Sequence, residues 1–209
     1  MKTVKLNNAE LSSIVIEALI NSHAICSGDK DDCNLSKKWE VQTAKDNKKQ
    51  IILKTDEWQT LDKYISKKPL NYQMALRLVI CLGEQLAALT EAGFGISHIT
   101  TADVTVMGDG WYLITNLSNV IPLYKKNMLR IVKPIQKNDF VAPELKKITA
   151  LPSVVDQSCG FYSIAVVCLK SLGLKNDKEG LYHLFSTPLF FLLERCLNEI
   201  PDKRVFLLI

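Results

Sequence analysis

The sequence predicts an α+β domain, a small mixed segment followed by a mainly helical part that encloses one buried hairpin. Three observations lead there. Apolar residues recur at helical spacing over 8–21 and again over Tyr72–Ala92. Short alternating runs pair up around turn sequences in two places. The stretch Gly160–Leu172 is almost entirely apolar, which suits a helix buried on all sides.

The elements follow in chain order. In NAELSSIVIEALIN a capping residue precedes Leu11, Ile14, Val15, Ala18 and Leu19 on one helical stripe. Residues 22–38 are polar and turn-rich around GDKDD. Trp39–Thr43 and Gln50–Thr55 then flank AKDNKK and predict a hairpin. Leu61–Ser66 predicts a short helix ended by Lys67, Lys68 and Pro69. Tyr72–Ala92 predicts the longest helix, with Met74, Ala75, Leu78, Val79, Leu82, Leu86 and Leu89 on one face and Gly93 as its stop. Val104–Met107 and Trp111–Thr115, joined by Gly108-Asp109-Gly110, predict a second hairpin. Residues 120–141 show little periodicity and read as a long loop, a feature usually tied to function. Thr187–Ile200 predicts a last helix with Pro188 in its first turn.

Composition narrows the class. The chain has 209 residues, 47% hydrophobic and 23% charged, which suits one folded domain rather than a disordered chain. Its 26 basic and 22 acidic residues give a net charge of +4, too mild to argue for nucleic acid. The cluster Lys125, Lys126, Arg130, Lys133 and Lys137 reads as a solvated loop. Lys170 and Glu194 interrupt the most apolar stretches, so no membrane span is expected, and the polar start predicts no signal peptide. Six scattered cysteines without C-x-x-C spacing fit a reducing, cytoplasmic setting.

Several landmarks then fall in an order that resembles the protein kinase family over roughly residues 50–205. The long helix ends AALTEAGFGI. Ile96-Ser97-His98-Ile99-Thr100-Thr101-Ala102-Asp103 follows in the place of H-R-D-L-K-x-x-N. Asn116-Leu117-Ser118 stands where D-F-G belongs, and Ala142-Pro143-Glu144 resembles A-P-E. Gly160-Phe161-Tyr162-Ser163-Ile164-Ala165 is similar to the family's D-x-W-S-x-G helix, with Gly160 at the Asp position and Asp156 one turn earlier as a substitute. Leu197 to Arg204 resembles the late L-x-x-x-P-x-x-R motif.

The resemblance implies a kinase-like fold reduced to its C-terminal lobe. Residues 1–55 would be an N-lobe remnant of helix and hairpin, and 56–209 a C-lobe truncated after the Arg204 motif. It also implies that the chemistry is lost. Phosphoryl transfer is mostly positioning and charge neutralisation. His98 occupies the place of the catalytic carboxylate, Thr100 that of the phosphate-side Lys, and Asp103 and Asn116 those of the two metal ligands. Ser97 replaces the Arg that grips a phosphorylated segment. The Asp103/Asn116 exchange leaves one Mg²⁺ site conceivable, but capping of nearby backbone is the plainer reading. Residues 1–55 contain no G-x-G-x-x-G, Gly28 being their one glycine, and Glu17 reads as a solvent-facing residue of its helix.

What persists is scaffold. The resemblance pairs Glu144 with Arg204 in a buried ion pair beside Ala142 and Pro143. No cofactor and no metal are expected. The expected function is a non-catalytic pseudokinase or kinase mimic that binds a protein partner, a kinase being one candidate. Such modules resemble the kinase non-catalytic C-lobe domain of actin-nucleation factors and viral mimics that dock on a host kinase. The alternatives are a residual nucleotide binder or weak kinase using His98, Asp103 and Asn116, and a structural component of a larger assembly.

Overall fold

The fold is seen in a computed structural model that describes residues 2–6, 8–27, 39–43, 49–55, 57–108 and 110–207. The polar stretch 28–38, the turn residues 44–48 and Asp109, which carry parts of the expectations above, lie outside the described residues.

The chain is α+β, with helices packed around antiparallel sheets. Strand β1 (Lys2–Leu6), helix α1 (Ala9–Ser27) and strands β2 (Trp39–Thr43) and β3 (Lys49–Thr55) open it. β2 and β3 pair antiparallel as the alternation predicts, but in a three-stranded sheet of order β1-β3-β2. β1 is absent from the sequence reading because KTVKL is too short and too basic to announce itself; Val4 and Leu6 nevertheless face the core. Helix α1 runs to Ser27, six residues beyond the expected end. Glu17 on it is exposed.

Next come β4 (Trp58–Thr60), α2 (Leu61–Ile65) and α3 (Tyr72–Glu91). Asn71 starts α3: its Oδ1 accepts from the Met74 N–H at 2.9 Å. Ala75, Leu78, Val79, Leu82, Leu86 and Leu89 bury one stripe, and Gly93 at φ +86° takes the left-handed position past the helix end. Strand β5 (Phe94–Ile96) leads to the hairpin of β6 (Val104–Met107) and β7 (Trp111–Ile114), every residue of which is buried. β4 adds to β6, so the expected hairpin is a three-stranded sheet of order β4-β6-β7.

The open edge of β7 lies against α3, and one side chain closes it. Gln85, fully buried, donates from Nε2 to the Tyr112 carbonyl at 2.7 Å and accepts at Oε1 from the Ile114 N–H at 2.9 Å. A helix side chain thereby supplies the bonds a further strand would make. Buried backbone groups need such partners. Nothing in the apolar pattern of α3 marks Gln85 for this task.

The region 120–141 corrects the sequence reading. It is not one long loop: β8 (Val120–Lys125) and β9 (Met128–Ile131) form a hairpin whose turn holds Asn127 at φ +62°. Asparagine tolerates that left-handed conformation, and Lys126-Asn127 is the turn signal that this stretch carries. β10 (Ser153–Asp156) and β5 complete a sheet of order β10-β9-β8-β5. Short strands interrupted by Pro122 and exposed lysines hide the alternation.

Helix α4 (Pro143–Lys146), α5 (Cys159–Ser171), α6 (Lys178–Tyr182) and α7 (Pro188–Cys196) follow. α5 is buried apart from Phe161, Tyr162 and Lys170, which are half-buried. α7 begins at Pro188 with Thr187 Oγ1 accepting from the Phe190 N–H at 3.1 Å, and it stops at Cys196, short of the expected Ile200. One large core joins Val4, Leu19 and Leu53 to α3, the β6–β7 hairpin, α5 and α7. A smaller one, with Leu129, Ile131, Val141, Leu145 and Cys159, lies under the four-stranded sheet.

Candidate functional site

The loop between β5 and β6 is built around one carboxylate. Asp103 is buried, and its Oδ2 accepts from the Thr100 N–H at 2.8 Å and the Thr100 hydroxyl at 2.7 Å. Its Oδ1 accepts from Asn116 Nδ2 at 2.6 Å, and its carbonyl accepts from the Thr115 and Asn116 N–H groups. Asn116 Oδ1 in turn accepts from the Ser118 N–H at 3.2 Å. Three of the sequence-predicted site residues are thus together, Thr100 and Asn116 each bonded to Asp103. A carboxylate taken from water must find such donors.

His98 stands beside them, half-buried, in its own network. Ser97 Oγ lies 3.2 Å from Nδ1, and Asn119 Nδ2 lies 3.4 Å from Nε2. An amide NH₂ only donates, so Nε2 accepts and Nδ1 carries the proton, donating to Ser97. The Ser97 hydroxyl in turn donates a hydrogen bond to the Asn119 backbone carbonyl at 3.4 Å. Burial lowers the His98 pKa below its ordinary value, and the nearby Asp103 carboxylate opposes this only in part. The imidazole is therefore held neutral with its lone pair occupied, a poor arrangement for a general base. A cleft of about 540 Å³ opens beside His98, bordered by Ser118, Asn119 and the segment from Arg130 to Asn138.

The loop is braced from behind. Helix α5 begins so close to it that a Cβ on Gly160 would lie 3.1 Å from the Ile96 carbonyl oxygen and 3.2 Å from Leu86. An aspartate at Gly160 would require these neighbours to give by a few tenths of an ångström. Asp156 accepts from the Ser158 N–H at 2.8 Å and caps the turn ahead of the helix.

Glu144 and Arg204 meet. Arg204 Nη1 donates to Oε1 of Glu144 at 2.5 Å and Nη2 to Oε2 at 2.8 Å, a two-pronged pair. Nε donates to the Asn198 carbonyl at 2.6 Å, Nη2 reaches the Glu199 carbonyl at 3.3 Å, and the guanidinium lies over the Tyr162 ring. Ala142 is fully buried as the residue before α4, and Pro143 takes its first position, where no N–H is needed.

Among the described residues no group of three or more His, Cys, Asp or Glu side chains could hold a metal ion, and no helix is long and apolar enough to cross a membrane. No protein-family model matches the chain, and no curated protein matches it in sequence.

Proposed function

We propose that this protein is a degenerate protein-kinase-like module that transfers no phosphate and acts by binding another protein. The order of parts supports the kinase-like reading: long helix, polar loop, buried hairpin, Asn116, two-stranded excursion, Ala-Pro-Glu, buried helix and a late Arg joined to the Glu.

The loss of chemistry rests on Asp103. Metal-assisted phosphoryl transfer needs carboxylate oxygens free to meet a cation and phosphate. Both oxygens of Asp103 already accept hydrogen bonds from Thr100 and Asn116, which would be its co-workers. His98 is engaged at both ring nitrogens. The loop holds itself together and offers little to a nucleotide. A fold maintained without its chemistry keeps its surface as its means of action, and a protein partner is the simplest use of one.

The test is a radiolabelled ATP assay with generic protein substrates, paired with thermal unfolding in ATP and Mg²⁺ and with co-purification from the cells of origin. We expect no turnover, no shift in melting temperature and a stoichiometric protein partner. A ligand at about 100 times its dissociation constant would stabilise the fold by about 2.7 kcal/mol. A shift of that order that disappears in Asp103→Ala would sink the reading.

A further inference from the structure

We infer that the outer face of the β8–β9–β10 sheet, with the cleft beside it, is a docking surface for an acidic segment of a partner protein that also carries apolar side chains. The inference rests on the protein-binding reading above and gives that partner a chemistry.

Charge is the first observation. Residues 120–138 contain five basic side chains, Lys125, Lys126, Arg130, Lys133 and Lys137, and no acidic one. All five are exposed, and none is in a salt bridge among the described residues. The neighbouring carboxylates are committed elsewhere. Asp103 is bonded to Thr100 and Asn116, Asp139 to Lys170, Glu144 to Arg204, and Asp156 to the Ser158 N–H. Asp139 and Glu144 are neutralised by their cations, whereas Asp103 and Asp156 keep their charges, so five cations face two carboxylates and the field over this face is net positive, which favours an acidic partner. Strands β8 and β9 hold Lys125 and Arg130 on a fixed surface, with Lys126 at their turn and Lys133 and Lys137 in the segment that follows, where the sequence suggested a solvated loop.

The second observation is what stands between the charges. Val154 lies opposite Arg130 in the β9–β10 register. The Arg130 guanidinium lies 5.6 Å and the Lys125 ammonium 5.5 Å from the centre of the Tyr124 ring. Tyr124, Arg130 and Val154 thus line up across three strands, with Tyr124 50% and Val154 46% exposed. Val132, just past β9, is 61% exposed. Tyrosine and arginine on a rigid sheet are the residue types that anchor protein interfaces. The 131–135 segment has hollows on both sides. One is the cleft of about 540 Å³ by His98; the other, about 200 Å³, is walled by Ile135, Leu145 and Leu151. They share Ile131, Lys133, Pro134 and Ile135, so an extended chain crossing the segment meets both.

The apolar content decides the class of partner. Of the ten exposed large hydrophobic side chains among the described residues, Tyr124, Val132 and Val154 lie on this face and a fourth, Leu151, walls the smaller hollow. Nucleic-acid phosphates would engage the cations and leave these four in water. An acidic peptide with aliphatic or aromatic residues satisfies both sets.

The experiment is selection of a random 16-residue peptide library on the full chain, with the enriched peptides measured by fluorescence anisotropy. Poly(U) RNA and phosphatidylserine vesicles are measured in parallel. We expect enriched peptides that combine Asp or Glu with apolar residues. Their affinity should fall by about tenfold or more in Arg130→Glu/Lys133→Glu, and likewise in Tyr124→Ser/Val132→Ser, which keeps the charge. Lys68→Glu, at a different cleft, should bind as the parent does. All these positions are exposed, and unchanged melting temperatures would verify the fold. Peptides that bind both double variants like the parent would overturn the inference, as would the enrichment of no peptide. RNA or vesicles binding as tightly as the peptide, and losing that affinity in the charge variant, would overturn it in favour of a polyanion or membrane surface. None of these outcomes touches the ATP and co-purification tests, which decide the broader reading separately.

Discussion

Arg204 reaches back sixty positions to grip Glu144 with both terminal nitrogens, and its Nε and Nη2 also bond the carbonyls of Asn198 and Glu199. The guanidinium side chain has no exposure, whereas that of Glu144 keeps 18%. The pair joins the turn after α7 to α4, at the foot of the smaller core. Removing either partner strands a charge, and breaking a buried pair costs roughly 3–5 kcal/mol. Glu144→Ala and Arg204→Ala should each lower the urea midpoint accordingly, and their effects should fall well short of additive. Arg204→Lys should be nearly as harmful, because an ammonium cannot form the fork. Two nearly neutral single variants would show that the pair does not hold the fold.

Gln85 joins α3 to the edge of the buried hairpin through Tyr112 and Ile114. Gln85→Leu keeps the volume and deletes the bonds. It leaves the Tyr112 carbonyl and the Ile114 N–H without partners, at about 1–3 kcal/mol for each buried group. We expect a lower unfolding midpoint and faster hydrogen exchange at the Ile114 amide. An unchanged exchange rate there would mean that another group can take over the role.

Much of this fold is legible in the sequence because its helices advertise themselves. The stripe of α3, the apolar run of α5 and the turn glycines of the β6–β7 hairpin each imply local structure with little help from tertiary context. The failures have physical causes. β1 and β4 are edge strands of five and three residues, too short to show a period. β8 carries Pro122, Tyr124 and Lys125 in water and only half-buries Ile121 and Leu123, so its apolar alternation is weak. The residues of the candidate loop were findable by motif. Their mutual bonding was not, since Asp103 and Asn116 meet only once the β6–β7 hairpin has turned the chain back. Gln85 and the Tyr124–Arg130–Val154 row are likewise products of packing and register.

The stretch after Arg204 is secured by ring packing. Phe206 lies against Phe161, with ring centres 5.5 Å apart, and sits where a side chain on Gly83 of α3 would be. Alanine is normally the better helix former by about 1 kcal/mol. Here Gly83→Ala should destabilise instead, by about 1–3 kcal/mol, because its Cβ overlaps the Phe206 ring. In a Phe206→Ala background the same change should turn neutral or stabilising. Gly83→Ala raising stability in the parent would show that the phenyl ring is not held against α3.

His98 makes a prediction about pH. Its folded-state pKa is lowered, chiefly by burial, and protonating Nε2 would also break the bond it accepts from Asn119. The unfolded chain titrates near the ordinary value of about 6.5. As pH falls through that value the unfolded state takes up a proton that the native state resists. Stability conferred by the neutral imidazole is therefore complete above about pH 6.5 and is lost as pH falls toward the folded pKa. His98→Asn should flatten this part of the stability curve, measured by urea unfolding from pH 7.5 to pH 5. The His98 imidazole resonances should titrate below pH 6.5 in the native protein. A native midpoint at or above 6.5 would mean that Asp103 outweighs burial, and stability would then be gained on acidification through that range.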